Sequence, residues 1–168
     1  TAGTIEGNGL NNFTNAGQLT IESTGAVTGF KNFTQNSGVT TLQTGAVLSA
    51  ASVEFLGGKL TGSGTIDPPN PIVIGSKAVV APTDLITFEG NTEFNGELDI
   101  GVRSATDFGK LNVLGLINFG AGSKIDFNFD QGFDWIESSY AFKFLLADEI
   151  LGLENLIFDY TGLDSLYS

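Results

Sequence analysis

The sequence predicts an all-β fold, a single β-solenoid of parallel strands wound in coils of about 20 residues. Two blocks recur at one offset: Asn12-Phe13-Thr14 returns as Asn32-Phe33-Thr34, and Thr24-Gly25-Ala26-Val27 returns as Thr44-Gly45-Ala46-Val47. A fixed period near twenty residues is typical of a solenoid in which each repeat forms one coil. The 23 Gly residues fall between short apolar runs, as turns separate short strands, and no segment has a sustained helical periodicity.

Residues 1–67 are predicted to form the regular coils. Gln18-Leu19-Thr20-Ile21-Glu22 alternates polar and apolar residues, which is the period of a half-buried strand. Gly38-Val39-Thr40-Thr41-Leu42 repeats that plan in the next coil. At Gly62-Ser63-Gly64-Thr65-Ile66-Asp67 we expect the register to change.

Stacking follows from the repeat, because one coil cannot bury its apolar face alone but can pair its backbone with the coils above and below. Equivalent side chains then lie about 4.8 Å apart along the axis. We therefore expect Phe13 over Phe33, Val27 over Val47, and Asn12 over Asn32, with the two Asn side chains hydrogen-bonded in a ladder.

A proline-rich turn at 68–71 holds three of the four prolines and divides the regular coils from residues 72–130, which are predicted to form further coils. Residues 131–168 are rich in aromatics and are interpreted as the widest coils or as a cap. A short helical turn is plausible within 148–155. Because the first residue is Thr, we also expect the chain to be part of a longer or processed polypeptide.

The composition excludes several classes of function. Lys and Arg total 7 against 19 Asp and Glu, which gives a formal charge of −12. Binding to nucleic acid or to an anionic membrane surface depends on cationic side chains, so both are disfavoured. The chain has no Cys and no His. Disulfides, thiolate catalysis, Cys-based metal sites and a catalytic imidazole are therefore excluded.

A family resemblance emerges from an ordered series of motifs between about Leu60 and Asp159. They are Gly64-Thr65-Ile66, Ala81-Pro82, Leu85-Ile86-Thr87-Phe88-Glu89-Gly90-Asn91, Gly96-Glu97-Leu98-Asp99-Ile100, Asp107-Phe108-Gly109-Lys110-Leu111-Asn112-Val113-Leu114-Gly115, Ala121-Gly122-Ser123-Lys124-Ile125 and Tyr140-Ala141-Phe142-Lys143-Phe144-Leu145-Leu146-Ala147. This order resembles the passenger regions of bacterial autotransporters and related secreted surface proteins, although Ala81-Pro82 stands where the family has Pro-Gly. The resemblance implies a right-handed parallel β-helix, secreted, with a surface or fibrous role.

One motif resembles a metal site. Asp126, Asn128 and Asp130, with Glu137 eleven residues after Asp126, have the spacing of an EF-hand calcium loop. However, the Gly falls one position late, Phe occupies the intervening positions, and no helix flanks the segment. A strand produces the same spacing by directing alternate side chains to solvent, and this is the preferred interpretation. We accordingly predict no metal site and no cofactor.

Asn12 and Asn32 each begin an N-glycosylation acceptor pattern, Asn-Phe-Thr. The repeat already explains both motifs as equivalent positions of successive coils, and we favour that interpretation. Intact mass of the isolated protein distinguishes the two.

No catalytic residues are predicted. Arg103 is the only Arg and lies in a turn without an adjacent acidic cluster, whereas a polysaccharide lyase would need a cation beside a base or calcium. A hydrolase would need two carboxylates facing one cleft, and no acidic pair stands out in a motif.

The sequence therefore favours a non-catalytic extracellular structural protein, a rigid solenoid of a bacterial surface fibre or matrix that associates with itself or with neighbouring coils of a longer chain. The main alternative is an adhesin or carbohydrate-binding segment. Its candidate aromatic residues are Trp135, Tyr140, Tyr160 and Tyr167. A polysaccharide-processing enzyme is the remaining alternative.

Overall fold

A computed structural model describes residues 3–131, 133 and 139–162 of this protein. Within these ranges the chain consists of strands, turns and one short 3-10 helix, Leu153–Asn155, which lies inside the segment predicted to hold a helical turn. The strands are β1 Thr4–Glu6, β2 Asn12–Asn15, β3 Gln18–Ile21, β4 Ala26–Gln35, β5 Val39–Ile66, β6 Ile72–Phe88, β7 Thr92–Phe94, β8 Glu97–Val102, β9 Lys110–Phe119, β10 Lys124–Phe129, β11 Leu145–Leu151 and β12 Ile157–Thr161.

These strands belong to one sheet that winds around a single axis, and the pairings between them are all parallel. The predicted all-β parallel solenoid is therefore confirmed. The expected short strands are not found throughout, because β5 and β6 run for 28 and 17 residues around corners of the coil. Gly45 and Gly62 allow this by taking positive φ values, so the chain turns while its pairing continues. No helix of the described residues is long and apolar enough to cross a membrane.

Equivalent positions of successive coils form ladders along the axis. One outward ladder consists of Thr14, Thr34, Glu54, Val73, Glu93, Asn118 and Leu151. The inward ladder beside it consists of Asn15, Gln35, Phe55, Ile74, Phe94 and Phe119. Steps along the outward ladder take 19 or 20 residues as far as Glu93, and then 25 and 33. The predicted period thus holds for the earlier coils, while the later coils are longer.

Two of the three predicted stacking pairs are confirmed. Phe13 pairs with Phe33 and Asn12 with Asn32. The third is wrong, because Val27 pairs with Leu48 and it is Ala26 that pairs with Val47. The turn after Gln35 contains one residue more than the turn after Asn15, since Asn15 and Gln18 pair with Gln35 and Val39. This extra residue shifts the register by one until the bulge that precedes Phe30 restores it.

The core is a column of apolar side chains inside the coils. Phe33, Phe55, Phe88, Phe94 and Phe119 are each no more than 1% exposed. The stacked coils bring aromatic rings together, as the ring centroids of Phe33 lie 5.6 Å from Phe13 and 5.5 Å from Phe55. Such ring pairs add stabilisation beyond their buried area. The high Phe content is therefore explained by a narrow core in which like positions meet.

A polar cluster interrupts this core near the start of the chain. Asn15 Nδ2 donates to Gln35 Oε1 and to Thr40 Oγ1, each at 3.1 Å, and Thr40 Oγ1 donates to Gln35 Oε1 at 2.6 Å. Gln35 Nε2 donates to the carbonyls of Gly57 and Lys59 at 3.1 and 3.3 Å. Burial of these groups is tolerated because each finds partners. The cluster joins three successive coils and fixes their register at a corner.

Differences in coil length are concentrated at one corner, which we term the variable corner. The chain crosses it in six residues from Leu60 to Ile66, eight from Val80 to Phe88, 15 from Leu98 to Val113 and 22 from Ile125 to Ala147. The residues at both sides stay in register because they are core positions. Extra residues are therefore accommodated outside the core, as loops at this corner.

Candidate functional site

The residues of the calcium-like motif lie on a strand and its end, not in a loop. Asp126 and Asn128 belong to β10, where Ile125, Phe127 and Phe129 are buried between them. Their side chains therefore point outward at alternate positions, roughly 6–7 Å apart along the strand, and do not converge on one point. The preferred interpretation, a strand with a polar outer face, is confirmed. Glu137 lies outside the described residues.

Lys124 is the centre of a charge cluster that spans three coils. Its Nζ lies 3.2 Å from Asp159 Oδ2, 3.5 Å from Glu97 Oε2 and 3.6 Å from Asp126 Oδ2. Parallel pairing places these groups together, because Lys124 pairs with Glu97 while Asp126 pairs with Asp99 and Asp159. One ammonium group thus offsets the mutual repulsion of three carboxylates. We refer to Glu97, Asp99, Lys124, Asp126 and Asp159 as the carboxylate ladder.

The pKa values of this ladder reflect its contacts. The hydrogen bond to Asp159 raises the pKa of Lys124, and Glu97 and Asp126 act in the same direction. The backbone N–H of Tyr160 lowers the pKa of Asp159, and Lys124 lowers it further. Asp99 is paired with Lys59 Nζ at 3.3 Å. No group of three or more acidic side chains within the described ranges is arranged to hold a metal ion.

Replacing Lys124 by methionine is expected to lower the melting temperature at neutral pH. The three carboxylates would then repel one another without compensation, and one oxygen of Asp126 is already buried without a hydrogen-bond partner. Because the pKa of Asp159 is lowered in the folded state, its stabilising contribution is present at neutral pH and lost as the pH falls through that pKa. The difference between variant and parent should therefore disappear in acid.

Thermal melts of both proteins between neutral and acidic pH measure this effect. Lys77→Met is the matched control, since it removes the same charge from an exposed lysine that forms no ion pair with a described residue. A deficit that persisted after the carboxylates were protonated would contradict the electrostatic explanation.

The two glycosylation-like asparagines form the expected amide ladder. Asn32 Nδ2 donates to Asn12 Oδ1 at 3.0 Å, on the outer face of β2 and β4. A glycan on Asn32 would use the same nitrogen and remove this hydrogen bond. The geometry therefore agrees with the interpretation of these residues as equivalent positions of the repeat.

The aromatic candidates divide into two groups. Tyr140 is half-buried in a cluster of rings, 5.2 Å from Phe133 and 6.2 Å from Phe142 between centroids. Tyr160 stacks on Phe127 at 5.7 Å and is 55% exposed. Trp135 and Tyr167 lie outside the described residues. The structure does not bring the described pair together as one flat platform, because they belong to different parts of the late coils.

Arg103 holds a loop in place at the variable corner. Its guanidinium donates to both carboxylate oxygens of Asp107, with Nε at 2.9 Å, and to the carbonyl oxygen of Thr83 at 2.7 Å. The hydrogen bond with Arg103 lowers the pKa of Asp107. These contacts tie loop 103–109 to the preceding coil, and they give the only Arg of the chain a local partner.

The terminal coils expose positions that are buried elsewhere. Phe158 belongs to the inward ladder of Leu98 and Ile125, which are at most 1% exposed, yet it is 50% exposed itself. Tyr160 occupies a similar position above Phe127. At the other end Ile5, which pairs with the buried Val27, is 48% exposed. Each end thus presents an apolar surface together with the free edge of its last described strands.

Comparisons of the chain with protein-family models, with curated proteins and with solved structures found no match.

Proposed function

We propose that this chain is a non-catalytic extracellular structural protein, a rigid solenoid that serves as a building block of a bacterial surface fibre or matrix. Stiffness is supported by the ladders, in which each coil is hydrogen-bonded to its neighbours and shares one apolar core with them. The extracellular and bacterial setting rests on the resemblance to autotransporter passengers. Labelling of intact source cells with an antibody against the protein tests that setting.

The observation that carries this proposal is the exposure of inward-facing residues at both terminal coils. Phe158 and Tyr160 at one end and Ile5 at the other lie at core positions of their ladders. Free strand edges pair readily with other strands, and a head-to-tail contact can repeat without closing. The natural partner is therefore another solenoid coil, supplied by a second copy or by further coils of a longer chain.

Charge controls such an association. The terminal coils carry Glu6 and Glu22 at one end and Asp148, Glu149 and Glu154 at the other. Like charges oppose the approach of two ends, and salt screens this repulsion because the Debye length shrinks from about 10 Å at 0.1 M to about 3 Å at 1 M. Self-association should therefore increase with salt, as both screening and the apolar contact favour it.

Sedimentation velocity and negative-stain electron microscopy across a series of salt concentrations test the prediction. We expect elongated oligomers at about 1 M salt and mostly monomers at low salt. Phe158→Asp should abolish the oligomers by placing a charge in the contact. Leu114→Asp is the matched control, because Leu114 is similarly exposed, at 51%, but belongs to a middle coil. Monomers at every salt concentration, or equal effects of both variants, would overturn self-association through the ends.

A further inference from the structure

A cleft crosses the variable corner where one coil is shorter than its neighbours. The chain takes six residues from Leu60 to Ile66, against eight in the preceding coil from Thr40 to Leu48 and eight in the following coil from Val80 to Phe88. The shorter coil is therefore recessed between the other two. Two adjoining cavities result, with volumes of about 360 and 250 Å³, and both include Thr44 and Ser63 in their walls.

Hydroxyl and amide groups dominate the walls of this corner cleft. Its polar residues are Gln43, Thr44, Thr61, Ser63, Thr65, Thr83, Asp84 and Thr87, together with Ser23 and Thr41. No Lys or Arg lines either cavity. The one carboxylate, Asp84, lies 4.0 Å from Lys110 Nζ. The cleft is therefore polar and close to neutral, in a protein that is strongly acidic as a whole.

Several of these groups keep unused hydrogen-bonding capacity. Thr44 and Ser63 share one hydrogen bond at 3.0 Å, so one of the two hydroxyl hydrogens remains to be donated. Gln43 Oε1 accepts from the backbone and hydroxyl of Ser23 at 3.2 and 3.1 Å, which fixes the amide. Its Nε2 then carries two hydrogens for which no described residue provides an acceptor. The cleft thus presents oriented donors and acceptors next to one another.

We propose that the corner cleft binds a neutral oligosaccharide. An anionic ligand would meet a net charge of −12 without a cationic side chain in the cleft, and an apolar ligand would leave the hydroxyl groups without partners. A neutral polyol satisfies such groups by mutual hydrogen bonds. Leu85, 40% exposed at one end of the cleft, supplies an apolar contact for the C–H face of a sugar ring. The larger cavity has the size of a small-molecule site, for which volumes of about 300–1,000 Å³ are usual.

Native electrophoresis in gels that contain a dissolved polysaccharide tests the proposal. The neutral probes are dextran, laminarin and galactomannan, and the anionic probe is polygalacturonate. We expect at least one neutral probe to retard the protein, and the double variant Thr44→Val with Ser63→Ala to bind it about tenfold more weakly, as the loss of two hydrogen bonds implies. Both substitutions nearly preserve shape, and unchanged melting temperatures show that the cleft is still formed.

A control pair, Thr14→Val with Thr34→Val, removes two outward hydroxyl groups on another face of the solenoid and should bind as the parent does. Retardation by none of the neutral probes, or by polygalacturonate alone, would overturn the proposal. So would equal binding by the parent and the cleft variant. None of these results bears on association through the terminal coils, which the sedimentation experiment measures separately.

Discussion

Replacing Gly62 by alanine is expected to lower the free energy of unfolding by about 3 kcal/mol or more. Gly62 has a φ of +99°, and a side chain at this position would be strained in any case. Its Cβ would also point into the backbone of Leu42 in the preceding coil, against the carbonyl oxygen first. Backbone cannot give way as a side chain can, so the two coils would have to separate and break their ladder here.

Equilibrium unfolding in urea measures the change. Gly101→Ala is the matched control, because Gly101 also lies in a strand but has no atom within 4 Å of the added Cβ and no positive φ. The control should differ from the parent by no more than about 0.5–1 kcal/mol. A Gly62 variant as stable as the Gly101 variant would show that the coils are less closely stacked at the variable corner than we describe.

The second large effect is expected for Phe33→Ala, which should cost about 3–5 kcal/mol of unfolding free energy. Phe33 is fully buried between the rings of Phe13 and Phe55, so truncation leaves a cavity that the fixed backbone of the coils cannot close. Phe13→Ala is the control within the same ladder, since Phe13 lies in the first coil and is only partly buried. Its loss should be clearly smaller.

Denaturant midpoints of the two Phe variants, measured side by side, decide this prediction. If both truncations cost the same, the core would not be a column that ends at the first coil. If Phe33→Ala cost less than about 1 kcal/mol, the site would be able to collapse around the missing ring.

The sequence predicted the fold because its repeat carries the physics of the fold. Phe13 and Phe33 recur at one offset, since each must fill the same place in a stacked core, and the pairing of these residues follows directly. The same reasoning failed for Val27 and Val47. The turn after Gln35 is one residue longer than its counterpart, and a compensating bulge restores the overall offset of 20. Two opposite shifts leave the period unchanged, so the sequence conceals them.

The polar sites were less accessible to sequence reasoning. Asp126 and Asn128 were recognised as alternating strand residues, because period-2 alternation is a local signal. Lys124 was not recognised as a charge centre, since its partners Glu97 and Asp159 are 27 and 35 positions away and meet it only through the register of unequal coils. The corner cleft was missed for a similar reason. It exists because one coil is two residues shorter than its neighbours, a difference that is visible only once the ladders are aligned.

The variable corner also makes this scaffold suitable for carrying foreign peptides. Its crossings already range from six to 22 residues while the core positions on both sides keep their alignment. The entropy of closing a loop grows only with the logarithm of its length. A segment grafted between Val102 and Lys110 would therefore be displayed at a defined height on the column, much as a rung can hold a flag without disturbing the ladder.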